Sequence, residues 1–98
     1  MNMQQMIIQA QKMQREIQKK QKELEEKEFT ISKGGAVTVI VKGDKTVKSI
    51  DIDKDALDPD NKEMVEELIA LAINEAVEQI KAAEAAISES VTGNGPLF

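Results

Sequence analysis

AVTVIVKGDKTVKSIDID, residues 36–53, decides how this chain folds. Its apolar residues recur at every second position. Val37, Val39 and Val41 share one face, and further on Ile50 and Ile52 share a face opposite Asp51 and Asp53. Alternation of this kind marks half-buried strands. Between the two runs, Gly43-Asp44 suits a two-residue hairpin with Gly at the first central position, where φ is positive. Upstream, Gly34-Gly35 is a second turn signal and EFTIS (28–32) a further short strand. The predicted strands, 28–32, 36–42 and 46–53, join as a three-stranded antiparallel meander. A sheet so narrow leaves edges that a second copy can cover.

Helical periodicity flanks the meander on both sides. Residues 2–27 contain no Gly or Pro and read as one helix. Met3, Ala10, Ile17 and Leu24 recur every seven residues with Met6 and Met13 between them, a narrow heptad seam that gives way to Lys20 and Lys27. At about 1.5 Å per residue the helix is roughly 40 Å long, whereas a domain of this size has a radius of gyration near 13 Å. Part of it must stand clear of the core or pack on a second subunit. The seam methionines suit either an adaptable surface for varied partners or plain helix packing. A second helix is predicted over 59–89, with Asp58 as N-cap and Pro59 at its first position. Its stripe of Val65, Leu68, Ile69, Ala72, Ala76, Ile80, Ala83 and Ile87 is wide enough to cover the sheet. The expected architecture is α+β: helix, three-stranded antiparallel meander, helix, in a single domain over 1–92 with a flexible tail at 93–98.

Composition narrows the chemistry. The 98 residues include no Cys, His, Trp or Tyr, and Phe29 and Phe98 are the only aromatics. Core burial falls to aliphatic side chains, and a core this small often gains burial by oligomerising. Without Cys or His, the commonest nucleophile, acid–base and zinc-ligand residues are missing. DIDKD (51–55) imitates the start of a calcium loop, but the sixth and twelfth positions are Ala56 and Lys62 in place of Gly and Glu. GDKT (43–46) resembles the end of a phosphate-binding loop, yet Asp44 separates Gly from Lys and the earlier Gly is absent. The expectation is no enzyme, no cofactor, no metal and no small-molecule substrate. No apolar run reaches the roughly 20 residues of a membrane span, and no secretory signal is visible, so no membrane partner and a cytoplasmic location are expected.

Charge is distributed unevenly. The chain carries a net −5 at pH 7, yet residues 1–22 hold Lys12, Arg15, Lys19, Lys20 and Lys22 against a single Glu16. Residues 51–98 hold twelve acids against three lysines. At about 100° per residue, Lys12, Arg15, Lys19 and Lys22 fall within an ~80° sector opposite the seam. Like charges so spaced repel by a few tenths of a kcal/mol per pair, so helix stability does not favour the ridge. A polyanion would favour it, unless Glu16, Glu23 and Glu26 neutralise it as an ordinary solvated face.

The whole chain resembles the YbaB/EbfC family of small bacterial nucleoid-associated, DNA-binding proteins. The resemblance rests on MQQMIIQAQKMQREIQKKQKELEE, the Gly-Gly turn, VTVIVKGDKTVKSIDID, the turn and helix start ALDPDNKEMVEELI, AINEAVEQI and the Gly-Pro-Leu-Phe end. It implies a homodimer formed through the sheets; apart from the resemblance, Val37, Val39, Val41, Ile50 and Ile52 exceed what one helix stripe needs to cover and are expected as core and dimer residues. The resemblance further implies helices projecting as tweezer-like arms and duplex DNA bound with limited sequence demand, at the nucleoid. Carried to this sequence, the basic arm positions are Lys12, Arg15, Lys19, Lys20 and Lys22. With one Arg and no Tyr or Trp, base reading and stacking have little to work with, so phosphate and shape would carry binding. The rival reading is a protein–protein adaptor using the Met-rich helix and the acidic second helix, with incidental DNA contact.

Overall fold

The computed structural model describes residues 2–92. Helix α1 (Met3–Glu26) leads into strands β1 (Glu28–Lys33), β2 (Val37–Lys42) and β3 (Val47–Ile52), and helix α2 (Lys62–Thr92) is the last described element. Two short 3-10 turns, Lys54–Ala56 and Pro59–Asn61, separate β3 from α2. The sheet is the antiparallel meander β1-β2-β3. The fold is α+β, as the periodicities predict. The tail expected at 93–98 lies outside the described residues.

Local chemistry explains each boundary. Asn2 caps α1 by accepting a hydrogen bond from the Gln5 amide at 2.8 Å, and Lys27 turns into extended backbone (ψ 143°) where β1 begins. Gly34 and Gly35 both adopt positive φ, 61° and 64°, as the tight turn between β1 and β2 requires. The second hairpin differs from expectation. Positive φ falls on Lys45 (71°), not on Gly43. Its Lys45 amide donates to the Lys42 carbonyl at 2.7 Å and the Lys42 amide to the Thr46 carbonyl at 2.8 Å. This is a three-residue loop closed by a left-handed residue. Gly43 is needed for space instead: a Cβ there would lie 1.7 Å from the Leu24 carbonyl oxygen. The start of α2 also shifts. Asp58 and Pro59 do cap and open a helical turn, but that turn is the 3-10 segment Pro59–Asn61, and the α-helix starts at Lys62.

The core lies between α2 and the inner face of β1 and β2. Leu24, Phe29, Ile31, Val39, Val41, Ala72, Ala76 and Ile80 form its main cluster, with Ile73, Ala83 and Ile87 packed at its rim. A second cluster joins Ala36, Val37, Ala56 and Val65. The buried members of the predicted α2 stripe are Val65, Ala72, Ala76 and Ile80. Small Ala72 and Ala76 let the helix sit close to the strands, and Ile80 is fully enclosed, a burial worth about 1.5–3 kcal/mol. An ion pair from Lys33 to Glu75, 2.6 Å, ties the end of β1 to α2.

α2 covers β1 and β2 but barely reaches β3. Ile50 pairs with Val39 and Val47 with Val41 across the β2–β3 ladder, so both share the α2-facing side. They nonetheless remain 45% and 41% exposed. Val37, Val39 and Val41 are buried within the single chain, Ile52 is half-buried, and Ile50 is open. Next to them Ile52, Ala56, Leu57, Pro59, Val65 and Ile69 line an apolar crevice.

Candidate nucleic-acid interface

α1 has 24 residues, roughly 36 Å at about 1.5 Å each. Only Leu24 at its base is buried and Ile17 half-buried; residues 2–16 are exposed all round. The chain therefore measures 69 × 23 × 14 Å, with a radius of gyration of 19.6 Å against the ~13 Å of a compact domain this size. The overlong first helix is an arm, rooted where Leu24 meets the core and the Gly43 amide donates to the Lys27 carbonyl at 2.9 Å.

Lys12, Arg15, Lys19, Lys20 and Lys22 are all exposed on this arm. Arg15, Gln18, Lys19 and Lys22 border one open crevice along the helix surface. Elsewhere, six lysines join ion pairs within the chain: Lys33 with Glu75, Lys42 with Glu26, Lys45 with Glu84, Lys48 with Glu28, Lys62 with Glu66 and Lys81 with Glu78, while Lys27 stacks on the Phe29 ring and Lys54 joins no ion pair among the described residues. Lys12, Arg15, Lys19 and Lys22 join none of the ion pairs among the described residues. Glu26, a neighbour expected to offset the ridge, turns instead to Lys42 at 3.7 Å. The arm thus keeps four exposed cations outside the ion pairs of the described residues, with Glu25 bordering the same crevice, an arrangement suited to a row of phosphates.

The acidic segment after β3 is occupied with backbone. Asp53 accepts from the Asp55 amide and Asp58 from the Asp60 amide, each at 2.8 Å, capping the two 3-10 turns. Asp44 accepts from the Thr46 amide at 2.9 Å in the hairpin loop. Hydrogen bonds from the Thr46 side chain and amide hold the Asp44 carboxyl below its ordinary value. Among the described residues no three carboxylates converge as a metal site would require, and no helix is long and apolar enough to cross a membrane.

Ion pairing is what sequence spacing misses. It places Glu26 within reach of the ridge, but not Lys42 within reach of Glu26, because that contact depends on how the hairpin docks against the base of the arm. Ile7 and Ile8 also lie outside the predicted seam and are 53% and 58% exposed.

The chain is 45% identical over 91 residues to a nucleoid-associated protein of Mycoplasmopsis pulmonis, covering 93% of this chain and 90% of that one. It is 45% identical over 96 residues to one from Clostridium botulinum strain Eklund 17B (97% and 85% covered). One from Clostridium novyi is 47% identical over 94 residues (95% and 82% covered). The profile of the YbaB/EbfC DNA-binding family matches residues 1–95. The chain belongs to the YbaB/EbfC DNA-binding family.

Proposed function

We propose that this chain is a nucleoid-associated protein that holds duplex DNA on the exposed ridge of its first helix. Lys12, Arg15, Lys19 and Lys22 contact phosphates, with Lys20 on the flank. The observation that carries this reading is the clustering of unmatched charge: six lysines elsewhere are matched to acids, whereas four exposed cations on one sector of the arm are not. Family membership supports DNA as the ligand. Sequence demand is low, because Arg15 is the only side chain able to read guanine in a forked, two-bond manner. The role is binding, not catalysis, and the place of action is the nucleoid.

The working unit is a homodimer formed through the sheets. Val47 and Ile50, left open beside the apolar crevice at Leu57, supply a surface for the second copy. Two arms per dimer then present two ridges.

A gel shift on random duplex DNA across a salt series tests the DNA contact. Each phosphate neutralised contributes about −0.9 to the slope of log affinity on log salt. A dimer making roughly five contacts loses about 2.7 decades over a fourfold rise in salt. Combined Lys12→Gln, Arg15→Gln and Lys19→Gln flattens the slope, whereas Lys54→Gln, Lys62→Gln and Lys81→Gln leave it nearly unchanged. An unchanged affinity and slope in the ridge variant overturns the reading.

A further inference from the structure

The side of the arm that carries the cations continues, uncharged, to the tip. Residues 2–11 hold no charged side chain, and the first cation is Lys12. At about 100° per residue, Ile8 falls at the centre of the cation sector, Gln4 on its edge and Gln11 about 20° outside it. Gln4, Ile8 and Gln11 therefore extend the same strip beyond Lys12. All three are exposed, Ile8 by 58%. Packing does not account for Ile8. It lies about 180° around the helix from Ile17, so cover on the seam leaves it outside. Ile is also a weaker helix former than Ala, Leu or Met, a cost on a bare helix that no burial within the chain offsets.

We propose that Gln4, Ile8 and Gln11 enter the major groove of the duplex and favour A·T pairs there, while the ridge cations behind them hold phosphates at the groove's edge. The inference rests on the ridge reading above and adds what the ridge lacks, a contact with bases. A bare α-helix about 10–12 Å across fits a major groove ~12 Å wide. The glutamine carboxamide matches adenine: its N–H donates to N7 and its oxygen accepts from the N6 amine. The Ile8 side chain matches the thymine C5-methyl, the apolar group that A·T pairs present in that groove. Phosphates offer these three neutral side chains no charge to pair with, so the tip gains little by lying along the backbone. From Gln4 to Gln11 the helix advances about 10 Å, some three base pairs at ~3.4 Å each. The preference is therefore for local A·T composition, not for a long defined site.

Fluorescence anisotropy with the full chain tests this on duplexes of equal length built from A·T, A·U, G·C or inosine·cytosine pairs. Uracil lacks only the thymine methyl. Inosine·cytosine presents the major groove of G·C and the minor groove of A·T. The wild-type chain should bind A·T about fivefold or more tighter than G·C, with inosine·cytosine bound like G·C and A·U in between. Ile8→Ala should close the gap between A·T and A·U. Combined Gln4→Ala and Gln11→Ala should shrink the gap between A·U and G·C. Alanine is the better helix former and all three positions are exposed, so a lost preference does not report a frayed arm. The salt series separates tip from ridge: the tip variants keep the wild-type slope, which Lys12→Gln, Arg15→Gln and Lys19→Gln together flatten. Equal affinity for A·T and G·C on an ordinary salt slope overturns the tip contact and leaves the ridge standing. Inosine·cytosine bound like A·T also overturns it, because the minor groove is then the one read. A gap between A·T and A·U that survives Ile8→Ala removes Ile8 from the contact and overturns the proposal as stated. Binding without a salt slope overturns the ridge reading and this one with it.

Discussion

Gly43 presses its α-carbon against the backbone of Leu24: a Cβ added there would stand 1.7 Å from the Leu24 carbonyl oxygen and 2.6 Å from its carbon. The hairpin between β2 and β3 thereby braces the base of the arm. Both contacting groups are backbone, so no side-chain rotation relieves the clash. Gly43→Ala should cost about 3 kcal/mol or more, lowering the melting temperature by over ~10 °C. Gly35→Ala meets nothing within 4 Å and has only its positive φ of 64° to contend with, so it should cost about 1–2 kcal/mol. Thermal melts of the two variants side by side check the ordering; a Gly43→Ala protein as stable as Gly35→Ala refutes it.

Ile50 is the second test point. It lies on the α2-facing side of the sheet yet is 45% exposed in the single chain. Ile50→Lys should leave the monomer fold intact, judged by circular dichroism, while weakening the sheet-mediated dimer by tenfold or more in sedimentation equilibrium, a change of about 1.4 kcal/mol. A wild-type chain that sediments as a folded monomer at micromolar concentration removes the sheet dimer altogether.

Calcium should leave the protein indifferent. Asp53 is engaged in capping the turn that begins at Lys54, and Asp51 stands exposed on β3. Melting curves with and without millimolar calcium should superimpose. A rise of several degrees would establish a site there after all.

Asp44 gives a pH dependence with a definite sign. Its carboxyl is held below the ordinary value of 3.8 by hydrogen bonds from Thr46. A carboxyl depressed in the folded state adds stability that is complete above its unfolded value and disappears as pH falls through the lower folded value. The melting-temperature gap between wild type and Asp44→Ala should therefore be constant from neutral pH to about pH 5 and close below about pH 4. A gap unchanged down to pH 3 would show that the carboxylate form plays no part in the turn.

Element order is legible in this sequence because period two and period three-and-a-half replace each other cleanly at Glu28 and again after Ile52. The length of α1 gives away the arm, since no core of this size can enclose it. What stays hidden depends on tertiary contact. Gly43 looks like the residue that takes positive φ, but the strain falls on Lys45, which an ion pair to Glu84 at 3.1 Å holds beside α2. The unequal cover of the sheet is equally hidden: Val39 and Ile50 follow the same alternation, yet one is sealed and the other open. For the ridge, sequence places the cations on one sector, and only the packed chain decides which acids are already committed.

The bare arm has one further consequence. Residues 2–16 pack on nothing else in the described chain, so their helix rests on local propensity and the Asn2 cap, and about fifteen residues is the length at which an isolated helix is marginal in water. Amide exchange should therefore divide the molecule in two: rapid opening along the arm, independent of the sheet, and protection limited by global unfolding at Val39 and Val41. Under the proposed ridge contact, neutralising these cations would relieve the like-charge strain within the arm, and a bound duplex should stiffen it. On that proposal the arm is a compliant handle whose rigidity the ligand would supply, leaving the core at Val39 and Val41 undisturbed.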